Sequence, residues 1–377
     1  MKKILFSIAM LGMALTGFAA DGKVHVKGDL KNVSDTLLAL TQKTFNNPIT
    51  VLVKDGKFEF DFPTDEVTTL YLLSPELLRQ ERNENSVQLQ LIAVPGESME
   101  LEGEVKNRYD INGSAFYKDY HEADLMMEGV TNEGNAIREK VQKMMQEQGE
   151  DAAMKYMQEQ QELFASKMTD AIINFVKTHP NSEASAALIP NLQNLAKMKE
   201  AAALLGETVK NGRMKNYYQS VIDQVEEQEK REAESAKKQA AGVEAPDFTL
   251  NDINGNPLSL SSLRGKYVIL DFWGSWCGWC IKGFPEMKNY YNKYKGKFEI
   301  LGIDCRDTEQ KWKDAVNKHE LPWLHVYNPM NSREVTDNFG INGFPTKIII
   351  GPDGKIVKTI VGEDPAFYTL LDELFGK

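Results

Sequence analysis

Cysteine is nearly absent: three thiols, Cys277, Cys280 and Cys305, are spread over 377 residues. So few cannot staple a chain of this length, which excludes a disulfide scaffold and leaves the cores to apolar packing. Histidine is scarce as well, with five scattered residues. A structural zinc site needs four ligands, usually from a second C-x-x-C or a spaced His pair, and neither pattern is present. There is no basic tract, and the formal net charge is −11, or −13 without Lys2 and Lys3. Nucleic acid and anionic membrane surfaces are therefore poor partners. Long hydrophobic runs are missing too, and the apolar stretch at residues 4–15 is too short to span a bilayer comfortably.

What is present is Trp276-Cys277-Gly278-Trp279-Cys280. Two intervening residues place both sulfurs on one helical turn, where a disulfide closes and reopens without moving the backbone. Spacing alone is a weak signal, but the flank strengthens it. Residues 267–273 form a short apolar, β-branched and aromatic run, as expected of a buried parallel strand, and the segment from 281 turns amphipathic. Cys277 is thus expected at a helix N-terminus, where unpaired N–H groups and the macrodipole favour the thiolate. Cys277 reads as the nucleophile and Cys280 as the resolving thiol. A peroxidatic cysteine would follow a Pro-x-x-x-Thr-x-x-Cys pattern, and the residue three before Cys277 is Gly274. Asp271 lies inside the apolar strand, an expensive position for a carboxylate. Its pKa is expected to be raised, fitting it to exchange a proton with Cys280.

Several ordered segments of residues 243–377 resemble the thioredoxin-fold domain of the TlpA-like thiol-disulfide oxidoreductases. They are Ala245-Pro246-Asp247-Phe248, Leu263-Arg264-Gly265-Lys266, the stretch Asp271-Phe272-Trp273-Gly274-Ser275-Trp276-Cys277, Pro285, Gly343-Phe344-Pro345-Thr346 and Gly362. The resemblance implies a cis Pro345 in a loop against the disulfide, whose preceding backbone pairs with an extended substrate segment. It implies substrate binding by Trp276, Gly278, Trp279, Phe344, Pro345 and Thr346, and no cofactor or metal beyond the redox-active pair. Implied partners are disulfide-bearing exported proteins and an unidentified protein that recharges the thiols. One departure matters: the residues between the cysteines are Gly-Trp, where the cytosolic reductants carry Gly-Pro. Such motifs span about 150 mV, so reductant, oxidase and isomerase all stay open at this stage, beside an envelope binding protein with a redox-sensing pair.

Met1-Lys2-Lys3, the apolar run and Gly17-Phe18-Ala19 have the three parts of a secretory signal over residues 1–19, implying the periplasm or cell envelope. Residues 20–113 read as an antiparallel all-β domain. Residues 50–62 alternate apolar and polar on both sides of Asp55-Gly56, a hairpin signal. Residues 114–241 read as helical, with Met154, Met157, Phe164, Met168, Ile172 and Phe175 at helical spacing, and 226–238 as a charge-dense helix end or tether. Residues 242–377 form the α/β thioredoxin-like domain. The 64 residues separating Cys280 from Pro345 exceed one βαβ unit of roughly 30, so an αβ element is expected near 307–327. Cys305, ending the strand 298–304, is flagged as an odd cysteine.

Overall fold

A computed structural model describes residues 22–79, 86–105 and 108–376; the leader expected over 1–19 lies outside them. Between Val225 and Glu226 the chain divides into two compact units.

The first unit begins with strands β1 (Lys23–Lys31), β2 (Thr36–Leu40), β3 (Ile49–Leu52), β4 (Lys57–Pro63), β5 (Thr68–Leu73), β6 (Gln88–Ala93), β7 (Ser98–Glu104) and β8 (Arg108–Gly113). They build two sheets, ordered β4-β1-β7-β8 and β3-β2-β5-β6. Every pairing is antiparallel except β1 with β7. Asp55 and Gly56 both have positive φ, 53° and 80°, as a type I′ turn requires. The expected hairpin nevertheless stops after the Lys54–Lys57 bridge, because β3 continues into one sheet and β4 into the other. Val51, Phe58 and Phe62 all enter the core between the sheets, and burying them there outweighs extending a two-stranded ladder.

Helices α1 (Pro75–Leu78), α2 (Ala115–Glu147), α3 (Glu150–Thr178), α4 (Glu183–Leu188), α5 (Leu195–Leu204), α6 (Glu207–Lys210) and α7 (Lys215–Lys238) accompany them. The helices share the sheets' core, with Phe116, Ile172, Ala187 and Ile222 in one cluster with Val26, Leu72 and Met99. The helical stripe read from sequence is buried at Ile172 and Phe175 but exposed at Met154 and Met157.

From Glu226 onward the chain belongs to the second unit. Its elements are β9 (Thr249–Asp252), β10 (Pro257–Ser259), β11 (Tyr267–Trp273), α8 (Gly278–Lys293), β12 (Phe298–Asp304), α9 (Glu309–Lys318), β13 (Leu324–Tyr327), α10 (Glu334–Asn338), β14 (Thr346–Ile350), β15 (Ile356–Val361) and α11 (Ala366–Phe375). Seven strands form one sheet, β10-β9-β13-β12-β11-β14-β15, parallel across β11, β12 and β13 and antiparallel elsewhere. Strand β11 is buried on both faces. Ile269 and Trp273 pack with Cys280, Phe284 and Leu371 on one side, while Leu270 and Phe272 pack with Val326 and Phe339 on the other. The α9–β13 pair is the additional αβ element. Residues 226–238 are the charge-dense, mostly exposed end of α7, as read from the sequence, and its last turn docks. Lys238 donates to the Asp337 carbonyl at 2.6 Å, and the neighbouring Gln239 amide to the Phe339 and Gly340 carbonyls at 3.0 and 2.8 Å.

Candidate active site

Strand β11 ends at Trp273, and the chain turns through Gly274-Ser275-Trp276 into α8. Asp307 fixes this turn, accepting from the Ser275 N–H at 2.6 Å and the Ser275 hydroxyl at 2.7 Å. Gly274 cannot be larger, since a Cβ there would lie 2.4 Å from the Trp276 ring nitrogen and 2.7 Å from the Cys305 carbonyl. Cys277 is the N-cap of α8, and its sulfur accepts the Cys280 N–H at 3.2 Å. The two cysteines are joined, with Cα atoms 5.3 Å apart. Cys277 retains 6% exposure against 2% for Cys280, so the edge of the pair that faces solvent is Cys277. A helix N-terminus with an N–H aimed at the sulfur favours negative charge on Cys277 once the disulfide opens.

Trp276 is half exposed at 48%; its ring N–H donates to the Cys305 carbonyl at 2.9 Å, and its ring meets Phe344 edge-on at 5.3 Å. Trp279 is 64% exposed, with the Lys282 ammonium 4.9 Å from its ring centre. At Gly278 an added Cβ would meet nothing within 4 Å, so packing does not demand glycine there. The Phe344–Pro345 peptide is cis, as the resemblance implies, and the Pro345 carbonyl accepts from the Gly362 N–H at 2.8 Å. Thr346 is buried and turned inward, its hydroxyl donating to the Gly343 carbonyl at 2.7 Å. Its side chain therefore closes the loop instead of facing a client. Arg306, not singled out from the sequence, holds positive φ (68°) and lays its guanidinium over Phe344 at 5.1 Å and Trp276 at 5.8 Å.

On the face of the sheet that carries the disulfide, Asp271 is buried, with one carboxylate oxygen unpartnered. Burial pushes its pKa up to about 6; Lys347 pulls it down and Glu363 pushes it up. Lys347 stands directly opposite Asp271 on β14 and is 1% exposed, with its ammonium 2.7 Å from Glu363. Neither Lys347 nor Glu363 was identified from the sequence. A signal existed for Lys347, because a charge inside Thr-Lys-Ile-Ile-Ile is as expensive as the Asp271 carboxylate inside its own strand.

A second buried acid, Asp304, is pushed up to about 9 by burial and then by Asp307 beside it. Replacing Asp307 with alanine strands two Ser275 donors and is expected to cost about 2 kcal/mol in denaturant unfolding. In the same variant Asp304 should titrate below its present value of about 9, read by its carboxyl NMR signal.

Cys305 is 1% exposed, and burial pushes its thiol well up. It belongs to the apolar cluster on the face of the sheet opposite the disulfide. Oxidised Cys280→Ser protein is accordingly expected to show no 277–305 crosslink by mass spectrometry. Among the described residues Asp110, His121 and Asp124 lie close enough to suggest a metal. However, Arg108 forms ion pairs with Asp110, Asp124 and Glu128, so the acids already have their countercharge.

Residues 241–359 match the AhpC/TSA family. Thiol-disulfide oxidoreductase ResA of Bacillus thuringiensis (strain Al Hakam) is 37% identical over 128 residues, covering 34% of this chain and 73% of that protein. The Bacillus subtilis (strain 168) protein of the same name is 35% identical over 122 residues, covering 32% and 67%. A solved thioredoxin domain of a thiol-disulfide oxidoreductase from Bacteroides vulgatus is 34% identical, with 36% of this chain and 98% of that one covered at a TM-score of 0.34.

Proposed function

This chain belongs to the thioredoxin-fold thiol-disulfide oxidoreductases, and from that premise we propose that it reduces disulfides in exported client proteins through Cys277 and Cys280. The observation that carries the proposal is the asymmetry of the pair: Cys277 caps the helix and keeps the more exposed edge, while Cys280 lies one turn deeper on the face of the sheet that carries the buried Asp271.

In the reduced protein, the Cys277 thiolate attacks one sulfur of a client disulfide. The client S–S bond breaks, one client sulfur leaves and takes a proton, and Cys277 becomes joined to the other. Cys280 then gives its proton to the Asp271 carboxylate and attacks the Cys277 sulfur. The second client thiol departs with a proton returned from Asp271 or solvent. Two electrons have passed to the client, and the Cys277–Cys280 disulfide remains. A dithiol partner must re-reduce it before the next cycle. The backbone around Phe344 and the rim of Trp276, Gly278 and Trp279 hold the extended client segment.

Export to the periplasm or cell envelope is part of this reading, supported by the leader motif at residues 1–19. Among the described residues no helix is long and apolar enough to cross a membrane. The β domain at residues 20–113 carries no catalytic constellation in its sequence, which supports a role in partner binding or positioning.

The direct test mixes reduced protein with a disulfide-bearing peptide, expecting client thiols to appear one for one as protein thiols are lost; no transfer would end the proposal. Trp279 supplies a further prediction. Because it is 64% exposed and outside the apolar cores, Trp279→Ala should leave folding stability within about 0.5 kcal/mol. As a docking anchor its loss should cost about 2 kcal/mol, near thirty-fold in kcat/KM. An unchanged kcat/KM would remove Trp279 from the client surface.

A further inference from the structure

The mechanism above uses Asp271 but leaves unexplained the partly buried carboxylate of Glu363 and the buried ammonium of Lys347 beside it. Lys347 reaches Asp271 through strand register: the two residues are direct partners in the antiparallel β11–β14 pairing, so both side chains leave the same face of the sheet. Glu363, just beyond β15, comes to the same place from another direction. Its Oε2 accepts from Lys347 at 2.7 Å and its Oε1 from the Tyr368 hydroxyl at 2.8 Å. Room for this carboxylate exists because residue 283, one turn beyond Cys280 in α8, is glycine. A Cβ on Gly283 would lie between 2.3 and 2.7 Å from the three carboxyl atoms of Glu363. The Glu363 carboxylate is thereby wedged against the helix that carries the resolving thiol.

We propose that Lys347 and Glu363 are positioning residues for the resolving step: the two carboxylates, Asp271 and Glu363, compete for one buried ammonium, and that competition sets the pH at which Asp271 can take the Cys280 proton. The inference rests on the dithiol chemistry proposed above and deepens it. With Glu363 holding Lys347, Asp271 keeps only part of the ammonium's attraction, which leaves it basic enough to accept a proton near neutrality. The direction in which each neighbour acts on Asp271 agrees with this arrangement.

The other groups facing the same space do not supply an equivalent charge. From α8 come Cys280 and, toward Tyr368, Glu286; from α11 comes Tyr368, kept neutral by burial and Glu363. Across β12 the partner of Asp271 is Gly302, and beyond it on β13 lies His325, whose burial pushes its pKa down to about 3, so it is uncharged. Cys305 lies on the opposite face of the sheet and is a neutral thiol.

The test is the pH–rate profile for attack of Cys280 on a preformed mixed disulfide between Cys277 and a small aromatic thiol, followed by release of that thiol. Glu363→Gln frees the ammonium for Asp271 and should move the inflection down by about one pH unit or more, whereas Lys347→Met should move it up. Lys347→Arg keeps the charge and should restore most of the wild-type profile. Opposite shifts are the signature, because a merely structural role would slow both variants without moving their inflections apart. An inflection that is unmoved, or moves upward, in Glu363→Gln overturns the inference. Should Lys347→Met fail to fold, the Glu363→Gln profile decides alone. If the wild-type protein itself released no thiol, the dithiol mechanism would be at fault instead, so the two failures are distinguishable.

Discussion

Reduced Cys280→Ser protein mixed with a disulfide client is expected to stop after one chemical step, with one equivalent of client bound covalently through Cys277 and turnover reduced to background. Cys277 is the more exposed of the two cysteines and the N-cap of α8, so it can still attack. Cys280 is the only other thiol on that face of the sheet among the described residues, since Cys305 packs on the opposite one. Serine preserves the size of the side chain and removes the sulfur that would break the mixed disulfide. Non-reducing electrophoresis followed by mass spectrometry should find partners attached to Cys277 in this variant and none when both cysteines are replaced. Equal partner profiles in the single and double variants would contradict the assigned order of attack.

Asp271→Asn is expected to produce the other large effect, and in two opposite senses. Removing a general base from the resolving step should slow it by about 10²–10⁴-fold and erase the inflection near pH 6. Stability should move the other way. Burial raises the folded-state pKa of Asp271 to about 6 from an ordinary 3.8, so the fold favours the protonated acid. The associated stability is fully present below pH 3.8, is lost as pH rises toward about 6, and stays lost above it. Over that interval the loss amounts to about 3 kcal/mol. Asparagine carries no charge to bury, so the variant should unfold at higher denaturant than wild type at pH 7.5 and lose this advantage at pH 4. Its amide leaves N–H groups to satisfy, which trims the gain to roughly 1–2 kcal/mol. A variant that is slower but no more stable at pH 7.5 would mean that the Lys347 ammonium offsets the burial of the Asp271 charge more fully than described above.

The redox site was legible where its chemistry is local. Cys277, Cys280 and the strand Tyr267–Trp273 are consecutive in the chain, and the spacing, the β-branched run and the glycine turn all act within a dozen residues. Asp271 was legible for the same reason, as a charge inside an apolar strand. Lys347 carried the same signal but its partner did not, and Glu363 and Tyr368 carried none, because these groups meet only after an antiparallel strand pairing and a helix packing bring distant segments together. Arg306 escaped notice because its place over Phe344 depends on one left-handed backbone residue, which composition does not reveal.

In the front half, the Asp55-Gly56 turn was readable from its residues, yet the partition of β3 and β4 between two sheets was not. Turn chemistry is settled by two residues, whereas the choice of partner strand is settled by where Val51, Phe58 and Phe62 find a common core. For residues 226–238 the charge density was correctly seen, but the carbonyls of residues 337, 339 and 340 that the end of this segment docks against lie about a hundred positions away.

The equilibrium redox potential of the Cys277–Cys280 pair, measured in the full-length protein against a dithiothreitol or glutathione buffer, tests the proposed direction of electron flow most directly. A reductant of client disulfides should lie near thioredoxin's about −270 mV, well below an oxidising envelope. A value nearer −120 mV would mean that the pair gives disulfides away, and would contradict the assignment.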